Sequence, residues 1–289
     1  MRRLTSALLC MAVLGAGAAV APAAGAPETP KGVTLLGPND ITGKDTAGLS
    51  TVSSFTVAAF LSGRPNGVLL TSGGAKALEL AFNDSAVLTI KGQPTKDVFA
   101  LPKALEGWHH WAVTFDNTHP LFRVRVYLDG RPVLNTYPLK YWPTHAISLK
   151  GAALALGPAM KKGVKDFRLY ASARDGNAAL GPLQIAALAG KPLTEQDLLE
   201  QKLAVKLPKG AFKDEPLVTV LVYIRERSRL LGPLREGVRV FINQPKIEMK
   251  RVTIDLAGKT VREALEACAK LGGLAVETEA PDIVRLVKQ

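Results

Sequence analysis

Period-two alternation governs the first two thirds of the chain. Residues 55–60, 67–70, 78–82, 86–90 and 108–115 are short apolar or alternating runs separated by Gly, Pro, Asn and Asp, the pattern of strands that put one face in a core. Residues 123–128 alternate as Arg-Val-Arg-Val-Tyr-Leu and stop at Asp129-Gly130, a pair suited to the two left-handed positions of a tight hairpin turn. Residues 154–156 and 167–170 add two strands. Residues 182–188 read as a short helix, with Pro182 in its first turn and Gly190 past its end. Short strands with turn signals between them predict an antiparallel β-sandwich over residues 31–190.

The period then changes. Thr194 with Asp197 three residues on resembles a helix start, and Leu198, Leu199 and Leu203 form a stripe. This predicts a linker helix in residues 191–205, ending at a Lys/Pro/Gly boundary over 206–210. Leu217, Val220, Leu221 and Ile224 fit a helical face, although so Val-rich a run is also compatible with a strand. Residues 238–242 and 252–255 alternate as strands. Thr260 with Glu263 is a capping box that opens an amphipathic helix with stripe Val261, Ala264, Leu265, Cys268, Leu271, closed by Gly272-Gly273. Residues 274–276 and 283–287 form a hairpin around Pro281-Asp282. Residues 206–289 are therefore expected to be a second, smaller α/β domain.

The motifs also carry resemblances. Gly107-Trp108-His109-His110-Trp111-Ala112-Val113-Thr114-Phe115-Asp116, then Val126-Tyr127-Leu128-Asp129-Gly130-Arg131-Pro132-Val133, then Leu154-Ala155-Leu156-Gly157, then Asp166-Phe167-Arg168-Leu169-Tyr170 resemble, in that order, a laminin G-like domain of the concanavalin A-like lectin/glucanase superfamily. The resemblance implies a mainly β protein built on an antiparallel jelly-roll β-sandwich, a scaffold that hosts glycan binders, protein binders, spacers and some enzymes. Where many relatives have a Gly-x-Ile-Asp-Glu/Asp run, this chain has Gly163-Val164-Lys165-Asp166, and Lys165 speaks against a calcium site there. Residues 252–256, 260–271 and 273–276 resemble the short domain at the N-terminal ends of secretins and TonB-dependent receptors. Residues 212–242 fit the first half of that module, with 230–236 as an insertion. The resemblance implies protein contacts in a cell envelope, without the pore of a secretin.

The start of the chain leads to the expectation that this architecture lies outside the cytoplasm. Arg2-Arg3, an apolar run over 4–20 and the small residues of Ala21-Pro22-Ala23-Ala24-Gly25-Ala26 have the layout of a signal peptide over residues 1–26, cleaved after Ala23 or Ala26. The expected location is periplasmic, cell-surface or secreted, and no apolar run long enough to span a membrane follows. Cleavage removes Cys10 and leaves Cys268 alone, which excludes an internal disulfide and makes Cys268 a buried apolar side chain. The net charge is +12, and only two of the basic residues belong to the leader. A basic exported protein meets acidic polysaccharide and anionic surfaces, so no nucleic-acid partner is expected.

Catalytic chemistry is poorly represented. Glu195, Asp197 and Glu200 resemble the Glu-x-Asp-x-x-Glu string of jelly-roll glycosidases, but that string works on a strand, whose alternation aligns the carboxylates, and here it falls on a helix. His109 and His110 are adjacent on a strand and face opposite sides; His119 and His145 fall in a turn and a loop. No metal ligand set, catalytic residue or cofactor is expected. Asn39-Asp40 and Asn83-Asp84 read as turns. The expected ligand site is the stiff aromatic segment Tyr137-Pro138-Leu139-Lys140-Tyr141-Trp142-Pro143 with His145, because rings of this kind stack on the C–H faces of sugars. Arg123, Arg125 and Tyr127 extend it if their side of the strand faces solvent. The expected function is noncatalytic binding of a glycan or an envelope protein through the sandwich, with the C-terminal module making protein contacts. The rival readings are a carbohydrate-active enzyme, for which Glu79 is a lone carboxylate, and a purely structural assembly component.

Overall fold

The computed structural model describes residues 28–288 apart from 32, 38–51, 64, 66, 73–74, 83–85, 91–92, 95–104, 117–122, 137–149, 151, 155–162, 173–176, 233–235 and 243. For residues 36, 72, 75–82, 86–90, 93–94, 136, 152–154, 245 and 248 it describes the backbone alone. The leader expected over 1–26 lies outside these residues.

In chain order the elements are β1 (Thr34–Leu36), β2 (Ser54–Ser62), β3 (Gly67–Ser72), β4 (Ala75–Phe82), β5 (Ala86–Ile90), β6 (Gln93–Pro94), β7 (Trp108–Asp116), β8 (Arg123–Leu128), β9 (Arg131–Thr136), β10 (Ala152–Leu154), β11 (Val164–Ser172), α1 (Pro182–Leu188) and α2 (Glu195–Leu203). The C-terminal part follows with β12 (Ala211–Pro216), α3 (Leu217–Leu231), β13 (Arg239–Ile242), α4 (Pro245–Glu248), β14 (Arg251–Asp255), α5 (Val261–Gly272), β15 (Leu274–Glu279) and β16 (Ile283–Lys288). One sheet has the order β1-β11-β2-β7-β8-β9 and the other β10-β3-β4-β5-β6, and the pairings described within both are antiparallel. The chain passes from the first sheet to the second after β2, returns at β7, crosses again for β10 and comes back for β11, which is the winding of a jelly-roll sandwich. The strand expected at 154–156 begins two residues earlier, at Ala152.

Alternation decides which side chains fill the space between the sheets. Phe55, Val57, Ala59 and Leu61 of β2, Trp111, Val113 and Phe115 of β7, Val124 and Val126 of β8, and Phe167, Leu169 and Ala171 of β11 join Leu69 and Leu70 of β3 in one core. Phe55 and Phe115 stack with centroids 5.5 Å apart.

The opposite face of the six-stranded sheet is also apolar in part, and it too is covered. Ala58, Ala112, Tyr127 and Tyr170 lie beneath Ala178, Leu180, Ile185 and Leu188. The cover is fastened by hydroxyls: Thr56 donates to the Ala178 carbonyl (2.6 Å) and accepts from Leu180 N–H (2.9 Å), while Ser54 accepts from Ala178 N–H (2.8 Å). The hairpin between β8 and β9 takes the expected form, with φ 51° at Asp129 and φ 78° at Gly130. A Cβ at Gly130 would stand 3.0 Å from the Ala186 Cα, so glycine there serves both the turn and the approach of α1.

The C-terminal part is α/β. β12 pairs antiparallel with β14, while β16 runs parallel to β13 and antiparallel to β15. The Val-rich run at 217–224 is helical, and α3 continues to Leu231 because Leu217, Val220, Leu221, Ile224 and Ser228 form one buried stripe. That stripe meets Val261, Ala264, Leu265, Cys268 and Ala269 of α5 in a second core with Val252, Val284 and Leu286. Ala269, rather than the expected Leu271, completes the stripe of α5; Leu271 is exposed. Thr260 and Glu263 form the expected capping box, and Gly273 closes the helix at φ 70°. Leu199 and Leu203 of α2 join this second core, and Glu200 pairs with Arg262 at 2.6 Å, so the helix read as a linker is packed against the module. The strand β12 had no apolar pattern of its own; pairing with β14 makes it.

Candidate functional site

Strand β8 positions the described part of the expected site. Val124 and Val126 point into the core, which turns Arg123, Arg125 and Tyr127 to the outer face. That face is not open to solvent at these residues. Tyr127 is fully buried beneath α1, and burial pushes its hydroxyl up to about 12. Arg123 and Arg125 retain 20% and 12% of their side-chain exposure, and both donate to Oε1 of Glu236, from Arg123 Nη1 at 3.0 Å and from Arg125 Nη2. Burial and the neighbouring Arg125 bring the Arg123 guanidinium below the ordinary arginine range, against the pull of Glu236. The expected surface extension of the ligand site is therefore corrected: Tyr127 belongs to packing, and the two arginines hold a carboxylate from the C-terminal module.

Glu236 is aimed by its neighbours. Val238 N–H donates to the Ser228 hydroxyl at 3.3 Å, and a Cβ at Gly237 would lie 2.5 Å from that same oxygen. The backbone beside Glu236 is thus pressed against α3, in a place only glycine fits. Tyr137, Tyr141, Trp142 and His145 lie outside the described residues. Thr136, the last described residue before them, is partnered across the ladder by Val124.

A second surface feature stands at the other end of the sheet. Trp108 opens β7 and is 39% exposed. The Lys165 ammonium lies 3.9 Å over its ring. Gly163, at φ 121°, leaves room for the indole, because a Cβ there would be 3.2 Å from its Cη2. The irregular register of β11 between Lys165 and Arg168 and the φ of 48° at Asp166 turn Asp166 into a bidentate pair with Arg168, at 2.9 and 3.0 Å. Lys165, the residue that spoke against a calcium site, is therefore the one that stacks on Trp108.

The remaining candidates are used structurally. His109 Nδ1 lies 2.9 Å from Asp129 Oδ2, and Asp129 Oδ1 accepts from His110 N–H at 3.1 Å. His110 itself is buried on the outer face, edge-on to Phe60 at 5.0 Å, and burial lowers it to about 4. Asp197 caps α2 through Thr194, whose backbone and side-chain hydrogen bonds lower its pKa, and Glu200 is lowered by Arg262. Carboxylates fastened in this way on an exposed helix do not flank a substrate. Among the described residues no three His, Cys, Asp or Glu side chains come together as a metal site, and no helix is long and apolar enough to cross a membrane. Asn39, Asp40, Asn83, Asp84 and His119 lie outside the described residues, and Glu79 is described by its backbone alone.

Fold and surface together define an antiparallel jelly-roll sandwich carrying a small α/β module. No family model matches the chain, and no curated protein sequence matches it. Among solved structures it is similar to a heptameric SAP-like pentraxin of Limulus polyphemus, at 18% identity over 49% of this chain and 71% of that one, with TM-score 0.34. It is similar to the binding domain of botulinum neurotoxin serotype C1, at 14% identity over 56% and 40% with TM-score 0.34. It is also similar to a putative carbohydrate binding protein of Bacteroides ovatus, at 17% identity over 47% and 41% with TM-score 0.29. The chain spans less than half the length of the last two. These likenesses are distant, and the fold rests on the strand order and register above.

Sequence reasoning singled out the arginines and missed their partner. Glu236 entered only as the end of the 230–236 insertion, and Trp108 only as part of a structural motif.

Proposed function

We propose that this is an exported, noncatalytic binding protein that recognises a glycan through its sandwich, with the C-terminal module, which resembles the secretin and TonB short domain, making protein contacts in the cell envelope. The observation that carries the reading is the exposed indole of Trp108 with Lys165 over its ring. An aromatic face held by backbone at Gly163 presents the apolar surface on which sugar C–H groups stack. Lysine on an exposed ring is held by only about 0.5–1 kcal/mol, so the side chain yields its place to a ligand at small cost and remains beside it as a donor.

Glycan-array binding of the mature chain tests the reading. Wild type is expected to retain a defined set of sugars, and Trp108→Ala to lose them while melting at nearly the same temperature. Unchanged binding in Trp108→Ala removes Trp108 as the platform, and an array on which wild type retains nothing removes the glycan reading.

A further inference from the structure

We propose that the Trp108 platform selects an acidic sugar, a pyranose bearing a carboxylate or a sulfate, and that Lys165 is the residue that pairs with its charge. The proposal rests on the glycan-binding reading and deepens it, naming the class of sugar and the side chain that sets it.

The sign of the charge beside the platform is decided by the backbone of β11. Counted back from the pair of Arg168 with Ala58, a regular ladder would set Asp166 opposite Phe60. Between these points β11 carries one residue more than β2, and the register sets Lys165 opposite Phe60 instead. Phe60 is paired in turn with His110, and Ser62 with Trp108. Val164, Leu61 and Trp111 belong to the core, so alternation puts Lys165, Phe60, His110 and Trp108 together on the outer face. The extra residue therefore exchanges an acid for a base beside the exposed indole.

The displaced acid is then neutralised. At φ 48° Asp166 turns its carboxylate onto the Arg168 guanidinium, with two hydrogen bonds of 2.9 and 3.0 Å. Among the described residues Lys165 makes no ion pair, and its ammonium lies over the Trp108 ring at 3.9 Å. Burial lowers the neighbouring His110 to about 4, so this ring adds no charge at neutral pH. Lys165 is left as an uncompensated cation on the indole.

The location suits a ligand that carries the opposite charge. Ala58 and Ala112, the next row along the sheet, lie under the cover formed with α1, so the platform stands at the margin of that cover, with Trp108 open to solvent. A pyranose stacked through its C–H face on the indole carries its substituents outward past the edge of the sugar ring. A hydroxyl there gives Lys165 a neutral acceptor, whereas a carboxylate or sulfate gives it a shorter, charge-assisted hydrogen bond. Asp166, next to Lys165 in the chain, is already held by Arg168, which offsets its repulsion of an incoming acid.

Retention of the mature full-length protein on immobilised polymers tests this. The acidic polysaccharides are polygalacturonate, alginate and κ-carrageenan, the neutral ones methyl-esterified polygalacturonate, dextran and xylan, and polyglutamate is a polyanion without sugar rings. Wild type is expected to hold at least one acidic polysaccharide more tightly than any neutral one. Lys165→Met should weaken that binding about tenfold, Lys165→Arg should restore it, and Trp108→Ala should abolish it, all three melting close to wild type. The preference of wild type for the acidic polymer should also shrink as salt is raised, a measurement that needs no variant. Equal retention on acidic and neutral polysaccharides, or Lys165→Met binding the acidic ones as wild type does, overturns the proposal. In either case, loss of binding in Trp108→Ala leaves the glycan reading standing. Polyglutamate held as tightly as the acidic polysaccharides, with no effect of Trp108→Ala, shows attraction to any polyanion and overturns it as well. Retention of wild type on none of the polysaccharides removes this proposal together with the glycan reading.

Discussion

His110 shows how one buried residue couples this fold to pH. Its ring is 2% exposed, Nδ1 makes no hydrogen bond, and burial takes its pKa from 6.5 to about 4, against the raising effect of Asp129 and Asp166 and with the lowering effect of Arg168 and Lys191. The unfolded chain takes up a proton below about pH 6.5, and the folded one does so only near pH 4. Stability from this residue is therefore complete above pH 6.5 and is lost as pH falls toward 4, by a total on the order of 3 kcal/mol. Denaturant unfolding from pH 7 to pH 4 should show His110→Phe losing markedly less stability than wild type over that range. Parallel curves would show that the imidazole is not held neutral by burial. The sequence placed His109 and His110 on opposite faces by alternation alone, but that His110 is the buried one, with Phe60 edge-on to its ring, is decided by the fold. The Cys268 thiol follows the same logic: the stripe of α5 predicted its burial, and burial raises it to about 12, leaving it a protonated, unreactive thiol at neutral pH.

Elements with local signals were readable and elements made by their partners were not. The Asp129-Gly130 turn, the capping boxes of α2 and α5 and the proline start of α1 each satisfy backbone groups within a few residues, so a short stretch of sequence contains the whole cause. β12 is mostly polar, with only Phe212 packed on the second core, and it exists because β14 pairs with it. Leu271 was read into a helical stripe that the real neighbours complete with Ala269. The hairpin turn gives a test at this scale. Gly130→Ala meets both a left-handed backbone and the Ala186 Cα at 3.0 Å, whereas Gly107, at φ 86°, has nothing within 4 Å of its added Cβ. Gly107→Ala should cost about 1 kcal/mol from backbone strain, and Gly130→Ala should cost up to about 3 kcal/mol. Equal losses in thermal melts of the two variants would mean that α1 does not press on the turn.

At the scale of the whole molecule the export reading has its own test. Intact-mass measurement of protein recovered from its native host should show a mature start between residues 22 and 27, and a chain that begins at Met1 would overturn the compartment on which the glycan and envelope readings depend. The sequence by itself determined the sandwich, the α/β module and which residues of an alternating strand share a side, because alternation, caps and turns are properties of neighbours along the chain. It also placed Arg123, Arg125 and Tyr127 together on one side of one strand. Only the tertiary structure decided what lies over that face: α1 seals Tyr127, and Glu236, more than one hundred residues away, closes on the arginines. A strand's period reports the direction of a side chain and carries no information about what arrives from elsewhere in the fold to meet it.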